Sequence, residues 1–208
     1  QFGGGVGYDD LFGGYIYIRL SEKNLGGHGD RFRVEARVGT YNSSAEISYL
    51  DRHIGDSNKS LLTRMYYHHR NRPGYDAHVG GLAAQLKVPL QHDWSIYLSS
   101  RMEYIRLDEE QDIHARENLD LDYWVTTGAI RMSKDTRTPI GSWPRRGSLK
   151  DFELEAGWAG APYARFGARR DQYWPVTDQL TYRMQARLDL IPYSSRILPI
   201  EERIFMGG

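Results

Sequence analysis

The segment "RFRVEARV", Arg31 to Val38, sets Phe32, Val34, Ala36 and Val38 against Arg31, Arg33, Glu35 and Arg37. Apolar and charged residues alternate without a slip. A β-strand separates them, because its side chains point to opposite faces with period 2. A helix would spread the same charges round its circumference. Such a strand needs two environments, one for each face.

The pattern recurs along the chain. "YIYIRL" sets Ile16, Ile18 and Leu20 against Tyr15, Tyr17 and Arg19. "LAAQLKV" sets Leu82, Ala84, Leu86 and Val88 against Gln85 and Lys87. "DFELEAGW" sets Phe152, Leu154, Ala156 and Trp158 against Asp151, Glu153 and Glu155. "YARFGARRD" and "LTYRMQARLDL" carry Arg165, Arg169, Arg183 and Arg187 on their polar faces. "SAEISYL", "LTRMYYHH" and "WSIYLSSRMEY" keep the same period, and "YWVTTGAIR" is the least clear. With the glycine-rich start, eleven strands are expected. Turn-forming segments such as "NLGGHGD", "DRHIGDSN" and "NRPGYD" separate them. No break in composition divides the chain, so residues 1–208 are expected to form one all-β domain, an antiparallel meander.

A mean hydropathy of −0.62 resembles that of a soluble protein. No apolar run approaches the roughly 18 residues of a membrane helix. A membrane β-barrel, however, meets lipid with every second residue only, so its mean hydropathy conceals it. The better strands alternate for about ten residues, enough to cross a bilayer when tilted. Soluble strands are nearer five or six residues, roughly. Aromatics stand near strand ends (Trp94, Tyr123, Trp158, Tyr163, Tyr173 and Trp174), as in an interfacial girdle. A soluble sandwich or lipocalin-like barrel is the alternative; length, facing and aromatics favour the membrane. The charged faces then line a lumen, with Arg33, Glu35, Arg37, Asp151, Glu153, Glu155, Arg165, Arg169, Arg183 and Arg187 pointing inward. They form either a self-neutralised wall paired between strands or a surface that docks a loop or passes a substrate.

Lys+Arg and Asp+Glu are equal at 27 each, so no basic field points to nucleic acid. There is no cysteine, hence no disulfide or thiolate metal site. His68 and His69 are neighbours on one strand and point to opposite faces, so they cannot share a metal. "GGGVG" precedes no helix and is no nucleotide loop. "DEEQD", Asp108 to Asp112, suits a solvated loop better than a cation site. No catalytic, cofactor or metal residue is assigned. An outer-membrane lipase or protease is the enzymatic alternative.

Three motifs in order carry a resemblance. "NLGGHGD" falls between strands two and three. "KDTRTPIGSWPRRGS" holds Asp135, Arg137, Pro144 and Gly147 ahead of a strand. "EERIFMGG" holds Arg203, Phe205, Gly207 and Gly208. The chain resembles the outer-membrane assembly and secretion superfamily of BamA, TamA, their organelle relatives and the two-partner-secretion exporters. The resemblance implies a sixteen-stranded barrel, within the even-numbered range of such proteins, in a Gram-negative or organelle outer membrane. It implies no enzyme and no cofactor, but the folding and insertion of other barrel proteins. The implied partners are the lipid bilayer, unfolded outer-membrane proteins, and periplasmic POTRA repeats or accessory assembly lipoproteins. The segment from Arg203 would begin the loop that folds into the barrel. Gly3, Gly4, Gly5 and Gly7 would lie in the seam strand that opens sideways; relief of crowding where the barrel bends is the other reading of these glycines.

The departures are Ile204, where an aromatic is common, and the absence of the Val-Arg-Gly-aromatic tip, of the strands after the eleventh and of the POTRA repeats. Eleven strands would leave two unpaired edges in hydrocarbon. The chain is therefore expected to be part of a barrel, preceded by POTRA repeats and continued beyond Gly208. A two-partner-secretion exporter and a passive porin are the functional alternatives.

Overall fold

A computed structural model describes residues 1–9, 12–72, 75–109, 122–139 and 143–194. The strands are β1 (Phe2–Asp9), β2 (Gly13–Leu25), β3 (Asp30–Gly39), β4 (Asn42–Asp51), β5 (Ser60–Arg72), β6 (Tyr75–Pro89), β7 (Trp94–Glu109), β8 (Asp122–Asp135), β9 (Gly147–Ala159), β10 (Pro162–Pro175) and β11 (Thr181–Ser194). They form a single eleven-stranded sheet in chain order, every neighbour antiparallel. β1 and β11 are its edges, and among the described residues the sheet does not close on itself. Connections alternate between two rims. The first rim carries the tight turns between β3 and β4 and between β9 and β10; the second carries the β2–β3 turn, the β10–β11 turn and the long connection from β8 to β9.

One face of the sheet exposes Ile16, Ile18, Met65, Leu82, Met102, Ile130, Leu154 and Leu188. Soluble proteins rarely show a contiguous apolar patch of more than a few hundred Å², roughly. This face spans the whole sheet, and hydrocarbon is the solvent that suits it. The expected lipid-facing parity therefore holds from β2 to β11.

β8 explains its own blurred pattern. Tyr123, Val125 and Thr127 point inward and are buried, while Trp124, Ile130 and Met132 point outward. Both faces are apolar near its start, so hydropathy hardly alternates there. Around it lies a dry inward cluster near the first rim, which includes Val79, Ile105, Leu107, Tyr123, Val125 and Tyr163. The lumen face is thus not polar throughout.

The girdle expected from sequence is half corrected. Tyr123, Tyr163 and Tyr173 are buried and inward, not interfacial. Tyr123–Trp124 and Tyr173–Trp174 are adjacent pairs, and one member of each must face inward. The outward aromatics are Tyr67, Tyr104 and Trp124 near the first rim, with Trp158, and Trp174 stacked on Tyr182 (centroids 5.6 Å apart) near the second.

Pro192 lies inside β11, where a ladder donor is wanted. The register steps from Phe166↔Leu190 to Ala164↔Tyr193, so β11 carries one extra residue there. This bulge takes the proline out of the ladder.

Parity gives a direct test. Leu154→Arg puts a charge on the lipid face in mid-strand and should destabilise the complete barrel by about 2–4 kcal/mol. Glu153→Gln, one residue away and inward, should cost far less. Urea unfolding in lipid vesicles measures both.

Candidate functional site

Three groups of residues deserve a functional reading: the first strand, the Asp135–Gly147 turn and the inward charges. β1 opens the sheet and carries Gly3, Gly4, Gly5 and Gly7. Gly5 faces Tyr17 and Gly7 faces Tyr15 across the pair. A Cβ on Gly7 would stand 2.7 Å from Tyr15 Oη, and one on Gly5 would stand 3.0 Å from the Tyr17 ring. The two rings lie against bare backbone on the inner side. A Cβ on Gly4 would stand 3.2 Å from the Tyr17 carbonyl oxygen, but one on Gly3 would meet nothing within 4 Å. Crowding accounts for Gly5 and Gly7; it does not account for Gly3. Tyr15 is held from behind by the Arg37 guanidinium, 4.9 Å from its ring centre and 4.6 Å from that of Phe12.

The turn after β8 is built around a fork. Arg137 Nε and Nη2 donate to the two oxygens of Asp135 at 2.8 and 2.7 Å, and the Arg137 backbone N–H donates to Oδ1 at 3.2 Å. The Asp135 carboxylate holds the Arg137 guanidinium above its ordinary value, so it stays charged at every accessible pH. Gly147 closes the turn with φ +96°, and a Cβ there would lie 2.1 Å from the Thr136 carbonyl oxygen. Its own carbonyl accepts from Gln172 Nε2 at 3.2 Å. Pro144 stands apart from the fork. It lines a cavity of about 550 Å³ with Trp143, Tyr173 and Leu180. In the earlier "NLGGHGD" turn, Asn24 Oδ1 accepts from the Gly29 N–H at 2.7 Å.

The inward charges form two separate groups. In the first, Glu35 receives Arg19 Nε at 2.7 Å and lies 3.7 Å from Arg37; Arg33 sits one step along, between Ser21 and Ser48. In the second, Asp151, Glu153, Glu155, Arg165, Arg169 and Arg187 surround a polar cavity of about 210 Å³. Arg165 and Glu155 pair across strands at 3.5 Å. Arg169 does not take Asp151, its direct opposite; it turns to Asp171, two residues along its own strand, at 2.6 Å. Arg183 reaches the same carboxylate at 3.3 Å. Asp171, on the polar face of its strand, is 0% exposed. Glu103 is the second such residue, receiving Tyr66 Oη and Arg101 Nη1. The signal was present: Arg101–Glu103, Arg169–Asp171 and Arg187–Asp189 are all Arg-x-acid pairs, and period 2 keeps both members on one face. Arg203, Phe205, Gly207 and Gly208 lie outside the described residues, as does most of "DEEQD".

An outward apolar belt, an inward ion-paired wall and an unbroken antiparallel ladder define the class: the wall of a transmembrane β-barrel. The sequence profile of the Omp85 superfamily domain matches residues 24–208, and the chain belongs to that superfamily. Its members are non-enzymatic β-barrels of outer membranes. No curated protein matches the chain in sequence. In fold, the chain is similar to BamA from Haemophilus ducreyi lacking POTRA domains 1–3, with a TM-score of 0.83 and 15% identity over 100% of this chain. It spans 44% of that BamA chain.

Gly147→Ala should destabilise the barrel by at least about 1–3 kcal/mol, because it combines a left-handed backbone with a main-chain clash. Gly55→Ala also has positive φ, but its Cβ meets nothing within 4 Å, so it should cost less. Thermal loss of the heat-modifiable gel shift ranks the two.

Proposed function

We propose that this chain is the first part of the barrel of an outer-membrane assembly factor, which folds and inserts other β-barrel proteins. The observation that carries the proposal is β1. It is glycine-rich and first in the sheet, and no described strand pairs with its outer side. An edge strand offers a row of backbone donors and acceptors to an incoming strand. Glycines at four of its positions leave it few side-chain contacts to hold it to β2. In this reading the seam formed by β1 opens sideways, β1 templates the substrate's strand, and the segment from Arg203 braces the lumen. The substrates are unfolded outer-membrane proteins, delivered by POTRA repeats or accessory lipoproteins. Superfamily membership and the fold shared with BamA support the proposal.

A two-partner-secretion exporter is the second reading. The polar cavity between β8 and β11 favours it, because charges paired within the wall leave a hydrophilic surface for a passing chain.

The two readings part at the seam. Gly3→Cys introduces a side chain into open space. In the complete protein it can be crosslinked to a cysteine in the closing strand. Assembly of a reporter barrel in vesicles should fall to background and recover on reduction. Assembly that continues through the crosslink removes the template mechanism, and secretion that continues supports the exporter.

A further inference from the structure

The lipid-facing side of β8 to β10 carries a row of cations toward the second rim. Strand registers set Lys134, Lys150 and Arg170 side by side on these strands, with Ala186 next on β11. All three have the outward parity of their strands. The adjacent outward row, farther from the rim, is apolar: Met132, Phe152, Ala168 and Leu188. Hydrocarbon-facing surface thus gives way to positive charge within two residues of strand.

These charges are uncompensated. Among the described residues none of the three forms a salt bridge, and the outward positions of β9 and β10 hold no Asp or Glu. Other arginines of the sheet behave differently. Arg169 and Arg187 turn inward to Asp171 and Asp189, and Arg106, outward near the first rim, holds Asp108 at 3.1 Å. The Lys134 ammonium stands over the Trp94 ring, 5.7 Å from its centre, which orients the group without neutralising it. Neighbouring strands are about 4.8 Å apart, so the row spans about 10 Å. Like charges in direct register repel, and an anion above the row relieves them.

Beside the row the surface is hollow. Lys150, Phe152, Ala168, Arg170, Ala186 and Leu188 bound a cavity of about 400 Å³ on the outer side. Register places the small Ala168 between Phe152 and Leu188, and that makes the depression.

The side of the membrane follows from β1. Phe2 pairs with Leu20 and Asp9 with Gly13, so β1 enters the sheet from the second rim. POTRA repeats ahead of it would stand on that side, which makes the adjoining leaflet the periplasmic one, built of glycerophospholipid.

We infer that row and hollow together bind one anionic glycerophospholipid of that leaflet. Its phosphodiester meets Lys150 and Arg170, with Lys134 beside them, and one acyl chain lies in the hollow over Ala168. Ammonium and guanidinium groups hold phosphate by charge-assisted hydrogen bonds, and their long stems carry them to headgroup level. A zwitterionic headgroup would bring its own ammonium to a site that already has three cations. Free phosphate would leave the hollow without an occupant.

The test uses the complete barrel protein in detergent, stripped of lipid and titrated separately with phosphatidylglycerol and phosphatidylethanolamine of the same acyl chains, with bound lipid read by native mass spectrometry. One phosphatidylglycerol should be held in preference. The double variant Lys150→Gln with Arg170→Gln should weaken its retention by about tenfold or more and bring it level with phosphatidylethanolamine. Ala168→Leu keeps the cations and fills the hollow, and it should also weaken retention. Arg106→Gln, at the other rim, should leave retention unchanged. An unaltered heat-modifiable gel shift will show that each variant folds. Equal retention of the two lipids by the unaltered protein overturns the inference, as does retention unmoved by the double variant. Retention unmoved by Ala168→Leu overturns the lipid, because phosphate alone needs no hollow. A loss from Arg106→Gln as large as from the double variant overturns the location.

Discussion

A peptide group in hydrocarbon has one source of hydrogen bonds, the next strand. The rest of this structure is arranged around that requirement. The strands follow chain order because a meander pairs each new strand with the one just placed. Prolines keep to places where no donor is missed: Pro89 and Pro175 end strands, Pro162 begins one, and Pro192 stands in the bulge of β11. Among the described strands, only the outer sides of β1 and β11 have no neighbour.

With the backbone bonded to itself, the side chains settle the remaining problem, which is charge inside a wall. Uncompensated charge there is costly, and paired charge is tolerable. Compensation runs along strands as much as between them. Arg101 serves Glu103, Arg169 serves Asp171 and Arg187 serves Asp189. A strand that brings its own counter-ion does not depend on its neighbour for neutrality. Asp171, itself buried, also collects the half-exposed Arg183 from β11, which ties that strand to the wall.

Much of this was legible in the sequence. The number of strands, their order and the lipid-facing parity follow from period 2 alone, because one residue of slip would turn every apolar side chain inward. Superfamily membership was legible from the order of the turn motifs, and the Omp85 match over residues 24–208 agrees with it. Three things were hidden. The dry inward cluster was hidden because β8 is apolar on both faces near Tyr123 and Val125, which cancels the alternation that reveals a strand. The buried tyrosines were hidden because adjacent aromatics such as Tyr173 and Trp174 look alike in composition and differ only in facing. The role of Asp171 was hidden because a carboxylate's partners depend on rotamers and on the neighbouring register, not on spacing alone.

The dry cluster bears on wetting. Over most of the inner wall, carboxylates and guanidiniums can hold water in place. Near the first rim, Val79, Ile105 and Val125 offer it nothing to bond. Water along this wall loses its anchorage there, whereas the charged band below can hold it. From β6 to β10, then, the inner wall has a dry band near the first rim and a wet one below it.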